Sequence, residues 1–194
     1  VVSADVTGVG TARGGLAGAT YGNDKAIFAY GETSSKLSIS NLVNNSGVVA
    51  TDTSGVGTAR SGLAGAEYGL DKAIFGFGTS PRTAITNLVS NSGVVSADVT
   101  GVGTARDALA AAGYGTDKGI FGFGETPTDV STTNLVSNTG VVGSDVTGVG
   151  TGRQYPAAAG YGVGLAIFGY GLATYTAITN LVSNTGVVAT DTAG

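Results

Sequence analysis

Short apolar runs alternate with glycine and polar punctuation along the whole chain, and the same order of runs returns again and again. The stretch from Val48 shows it well. Val48 to Asp52 is a valine-led opening, cut off by Gly55-Val56-Gly57. Arg60 to Tyr68 carries Leu63, Ala64 and Ala66 among small residues. Gly69-Leu70-Asp71 reads as a tight hairpin connection. Lys72 to Phe77 follows as K-A-I-F-G-F and stops at Gly78. A polar loop, Thr79-Ser80-Pro81-Arg82, leads to Thr83 to Val89, which ends at Ser90-Asn91-Ser92-Gly93. The four runs predict four short strands. No segment offers a sustained 3.6-residue period of apolar positions, so the chain is expected to be all-β.

The opening VVSADVTGVGTAR at Val1 restarts at Val48, Val94 and Val141, and a shorter form begins at Val187. The units are thus 1–47, 48–93, 94–140 and 141–186, with the start of a fifth at 187–194. A period of this size marks solenoids, propellers or arrays. Four strands in about 47 residues match one blade of a β-propeller, and one thin sheet must bury its faces on its neighbours. The expected fold is therefore a β-propeller-type array of four blades, each with four short antiparallel strands; a β-helix or other stacked solenoid is second. Phe75 and Phe77, two positions apart, are expected to point to one face and fill a wide gap between blades. Their counterparts are Phe28/Tyr30, Phe121/Phe123 and Phe168/Tyr170. Val1 opens in mid-pattern, which suggests a chain that is processed or cut from something longer. The repeated terminal run also favours a segment of a longer array, or a subunit whose ends pair with neighbours.

The run Arg60…Leu63-Ala64…Tyr68-Gly69-Leu70-Asp71-Lys72-Ala73-Ile74-Phe75-Gly76-Phe77-Gly78…Asn87-Leu88 resembles a kelch-type blade. It is also similar to the regulator-of-chromosome-condensation repeat. Gly-Phe-Gly or Gly-Tyr-Gly stands here in place of the kelch double glycine, and the kelch tryptophan is absent. The resemblance implies a propeller of related shape. Near-identical tandem units with the phrase TNLVSN-S/T-G also look like repeat proteins of bacteriophages and aquatic microbes, which implies a structural part of a virion or surface.

Composition narrows the chemistry. Cys, His, Met and Trp are all absent, and charged residues make up only 11%. That excludes disulfides, thiol nucleophiles, Cys/His zinc sites and histidine-based catalysis. A net charge of -4 argues against a nucleic-acid partner. No apolar run approaches the roughly 20 residues of a membrane helix. Lack of cysteine fits an extracellular or virion setting. Gly-x-Gly in GVGTAR lacks the third glycine and the following helix of a dinucleotide loop, and Asp-Val-Thr-Gly lacks the carboxylate density of a calcium loop. No cofactor or metal is expected.

Four sets of repeated polar residues remain. One Arg recurs per unit (Arg13, Arg60, Arg106, Arg153), with an Asp eight positions earlier (Asp5, Asp52, Asp98, Asp145). A guanidinium fork can satisfy a carboxylate and backbone carbonyls together, so a structural contact is favoured over a ring of charges at a channel mouth. Asn41, Asn87, Asn134 and Asn180 precede Leu-Val in every unit; they either bond the backbone or offer a polar surface to glycans. Tyr21, Tyr68, Tyr114 and Tyr161 are expected in the core, and the Asp-Lys pairs at 24–25, 71–72 and 117–118 in hairpin turns. The loops after the aromatic strand vary between units, which is where recognition commonly resides. These observations together predict a non-enzymatic structural or adhesive scaffold, extracellular or on a virion. Its expected partners are other proteins or copies of itself. A carbohydrate-binding propeller is the alternative.

Overall fold

The computed structural model describes residues 7–79 and 81–194, so Asp5 lies outside the described residues. Every described element is a strand. They are β1 (Ala17–Tyr21), β2 (Lys25–Ala29) and β3 (Ser40–Val43); β4 (Ala64–Tyr68), β5 (Lys72–Gly76) and β6 (Thr86–Val89); β7 (Ala110–Tyr114), β8 (Lys118–Gly122) and β9 (Thr133–Val136); and β10 (Ala157–Tyr161), β11 (Leu165–Gly169) and β12 (Thr179–Val182). Each trio forms one antiparallel meander, with the middle strand between the other two. The chain is thus all-β, built of four repeated three-stranded sheets. In the first hairpin Tyr21 pairs with Lys25, and the connection turns on Gly22 and Asn23 at φ 60° and 69°. Glycine and asparagine are the residues that occupy this left-handed region most readily.

Three strands per sheet, not four, corrects the expectation from the sequence. The valine-led run from Val48 does not open its own repeat's sheet. It returns along β3 of the preceding repeat, touching it in isolated pairs, Val43 with Val49 and Ser40 with Thr53. Those pairs enclose two residues on β3 (Asn41, Leu42) and three on the arm (Ala50, Thr51, Asp52), the signature of a β-bulge. The ladder breaks there because the Asn41 side chain takes the Ala50 carbonyl at 3.1 Å. All four repeats share this arm; Val188 and Thr192 complete the fourth sheet along β12. The structural unit is therefore shifted relative to the written repeat, and the segment 187–194 lies along the last sheet as the earlier arms lie along theirs.

The aromatic pairs also depart from expectation. β5 ends at Gly76, and Phe77 takes φ 65°. The backbone reversal sends the Phe77 ring to the opposite side from Phe75. Phe75 therefore meets Tyr30 of the preceding sheet (centroids 5.8 Å, near edge-to-face), while Phe77 meets Phe121 of the following one (5.2 Å). Phe123 and Phe168 repeat the contact at 5.1 Å. Each sheet thus gives one ring to each neighbour. A bulky residue at positive φ is strained, and Tyr30, Phe123 and Tyr170 share that conformation.

Stacking of successive sheets supplies the core. β1 lies beside β4, β4 beside β7 and β7 beside β10, and each also touches the middle strand of the next sheet. Among the described residues the first and fourth sheets have no comparable contact, so the array is open. Three apolar clusters form, and each straddles a junction. The first joins Tyr21, Ile27 and Tyr30 to Leu63, Phe75 and Val89. The second joins Ile74 and Phe77 to Leu109, Phe121 and Val136, and the third joins Ile120 and Phe123 to Phe168 and Val182. No sheet has a core of its own, as expected of a repeat array. Close approach requires small residues: a Cβ on Gly65 would stand 2.8 Å from the Gly18 carbonyl oxygen.

Candidate functional site

The repeated polar residues do meet, but with a partner different from the one their spacing suggests. Arg13 faces Asp52, the carboxylate of the following written repeat, with Nη1 3.9 Å from Oδ1; Arg106 faces Asp145 at 4.0 Å. The bulged arm folds back and carries each Asp past the Arg one repeat earlier. The fourth cluster uses Asp191, at the end of the chain, where only the shortened fifth start hinted at it. Thr151 donates its backbone N–H and its hydroxyl to that carboxylate, the hydroxyl at 2.7 Å.

The four clusters share a common plan, seen complete in the third. In the third repeat Arg106 is fully buried. Its Nε donates to the Phe123 carbonyl at 2.9 Å, its Nη2 to Asn134 Oδ1 at 2.7 Å, and Nη1 to the Thr104 carbonyl at 3.3 Å. The guanidinium lies 4.1 Å above the Phe77 ring of the previous sheet. Asn134 then donates from Nδ2 to the Gly143 carbonyl and to Asp145, and Thr104 donates to Asp145 through its N–H and hydroxyl. Arg60 and Arg153 stack likewise over Tyr30 and Phe123, at 4.1 and 3.9 Å. Among the described residues, buried donor Nη2 of Arg60 and acceptor Oδ1 of Asn87 each lack a partner, as do those of Arg153 and Asn180. The same two groups are bonded in the first and third repeats.

Electrostatics follows from burial. Loss of solvent lowers the Arg106 pKa to about 10, against which the Asp145 charge works in the opposite direction. Burial lowers Arg60 and Arg153 too. Asp52 is held below the usual carboxylate range by the Thr11 hydroxyl, then Asn41, then the Thr11 N–H. Asn180 and Thr151 do the same for Asp191.

Asn41, Asn87, Asn134 and Asn180 are buried. Their amides are turned inward because the bulge leaves a carbonyl and a carboxylate that need donors. The variable loops are likewise engaged within the array. Lys36 bonds Glu32 and reaches Ser61 of the next repeat. Arg82 bridges to Asp107 and Glu125 of the third repeat. Thr20 bonds Glu67 across the first junction at 2.6 Å.

An open groove of about 480 Å³ runs along the hairpin ends of the last three sheets. Glu67, Tyr114, Asp117, Lys118, Tyr161 and Val163 line it. Lys118 is paired with Asp117 at 2.9 Å. Among the described residues no group of three or more carboxylate, histidine or cysteine side chains is placed to hold a metal. No protein-family model matches the sequence. A search of curated proteins also returns no match.

Proposed function

We propose that the chain is a non-enzymatic structural scaffold, its sheets arranged as the blades of an open, propeller-like, kelch-like array. Its place is an extracellular assembly such as a virion, fibre or cell surface. One observation carries this reading. The Arg, Asn and Asp that meet at each bulged arm (Arg106, Asn134 and Asp145 in the third) recur in all four units and are engaged in holding that arm, while the second repeated asparagine, Asn45 and its counterparts, lies in exposed turns. Repeated chemistry here builds the array. Immunogold electron microscopy of the source culture, with antibody to this chain, tests the setting. Label on assembled particles or surface structures is expected; label confined to the cytoplasm refutes it.

A glycan-binding face is the second reading. It loses its asparagines to the interior, but the groove beside Tyr161 and Glu67 retains an exposed ring and a carboxylate. Sugars are held by such pairs of stacking face and hydrogen-bond acceptor. A glycan signal that disappears in Tyr161→Ala favours this reading over the scaffold.

A further inference from the structure

The two outer faces of the array are the two halves of one junction. On the first sheet Phe28 is 41% exposed, whereas its counterparts Phe75, Phe121 and Phe168 are fully buried against the preceding sheet. Gly47 is exposed, and a Cβ there would meet nothing within 4 Å. A Cβ added at its counterparts Gly93, Gly140 and Gly186 would stand about 3 Å from Tyr21, Tyr68 and Tyr114 of the preceding sheet. On the fourth sheet the opposite half is open. Tyr170 is 62% exposed, whereas Tyr30, Phe77 and Phe123 are fully buried under the next repeat. Tyr161 is 43% exposed against 4% or less for the three tyrosines at its position.

The backbone matches too. Three hydrogen bonds recur at each internal junction. Gly31, Gly78 and Gly124 donate to the carbonyls of Arg60, Arg106 and Arg153. Gly22, Gly69 and Gly115 donate to those of Asp71, Asp117 and Gly164. Gly62, Ala108 and Tyr155 donate to those of Gly15, Gly62 and Ala108. Among the described residues the matching groups on the outer faces make no such bond: the N–H groups of Gly171 and Gly162 and the Tyr155 carbonyl on the fourth sheet, and the carbonyls of Arg13 and Asp24 and the Gly15 N–H on the first.

We propose that a second copy of this chain docks head-to-tail, its first sheet on the fourth sheet of the other, to make a fourth junction like the internal three. Tyr170 and Tyr161 of one copy cover Phe28 and Gly47 of the next. The end pair has a size match of its own. Tyr155 stands in the place of Gly15 and Gly62, which lie against Ser61 and Asp107. Its partner position on the first sheet is Gly14, where an added Cβ would meet nothing within 4 Å. The largest residue at that place thus meets the smallest. Such a contact joins two different faces, so it propagates into a ring or a filament according to the rotation at each step. The inference names the partner of the scaffold and rests on that reading only for its setting.

Two single variants test it on the intact chain. Phe28→Glu blocks the first face and Tyr170→Glu the fourth. Both residues are exposed in the free chain, so circular dichroism is expected to be unchanged. Analytical ultracentrifugation of the wild type is expected to show concentration-dependent growth, to a closed ring or to a filament. Each variant alone is expected to remain a monomer. An equal mixture is expected to give a dimer and no more, because one intact face of each kind survives. A wild type that stays monomeric at millimolar concentration overturns the proposal and leaves these faces to another partner. So does growth that either variant leaves within tenfold of wild type. None of these results bears on where immunogold label falls.

Discussion

Arg106 offers the sharpest test of how the sheets are held. In Arg106→Ala, Asn134 Oδ1 and the Phe123 carbonyl lose donors at 2.7 and 2.9 Å, and both atoms stay inside the array. Hydrogen bonds to a charged group contribute about 1.5–3 kcal/mol each. The Phe77 ring, 4.1 Å from the guanidinium, loses a cation contact of about 1–2 kcal/mol. Against this, the variant no longer strips water from a buried cation, the same effect that lowers the Arg106 pKa to about 10. The net loss expected is about 3–5 kcal/mol, the range for removing one partner of a buried charged pair. Urea unfolding followed by circular dichroism measures it. A double-mutant cycle with Phe77→Leu isolates the ring contact, and a coupling of about 1–2 kcal/mol is expected. Arg13 makes the same three bonds, at 2.6, 3.1 and 2.8 Å, and no ring of a preceding sheet lies over it among the described residues. Arg13→Ala is therefore expected to cost less by about the coupling energy. A loss below about 1 kcal/mol for Arg106→Ala, or a coupling near zero, refutes the view that this guanidinium ties two sheets together.

Two further outcomes follow from backbone strain and from charge. Leu70 sits at φ 72° and is largely exposed, whereas the first repeat places Asn23 there at φ 69°. Leu70→Asn is expected to stabilise the chain by about 1 kcal/mol, seen as a higher urea midpoint; an unchanged or lower midpoint contradicts the strain. Asp52 and Asp191 have folded pKa values below their unfolded ones, so the unfolded chain binds protons first on acidification. Their contribution is present above the unfolded value of about 4 and is lost as pH falls through the lower folded values. Urea midpoints are expected to hold level down to about pH 5 and fall below about pH 4, and a level profile down to pH 2 removes this account.

How much was legible in the sequence differs from feature to feature. The hairpin from Tyr68 to Lys72 was readable because glycine at a turn and alternation in a strand are local properties. The arginines, too, were legible as structural residues, since a fork of donors repeated in every unit suits a repeated carbonyl and carboxylate. Their partners were not. The pairing of Arg13 with Asp52 depends on a loop of chain returning along β3, and sequence distance carries no record of that return. The order of residues leaves Asn41 open between a backbone bond and a polar surface for the same reason: its burial comes from an arm placed over it by the bulge.

By itself, the order of residues determined an all-β chain of repeated units that cannot stand singly, because period, turn chemistry and small residues act over a few positions each. Tertiary structure decided the rest. The positive φ at Phe77 turned two aromatic rings to opposite neighbours, and the bulge at Ala50–Asp52 converted a fourth strand into a strap. Which sheet each ring and carboxylate serves is set by contacts between residues tens of positions apart, and only the stacked array brings those residues together.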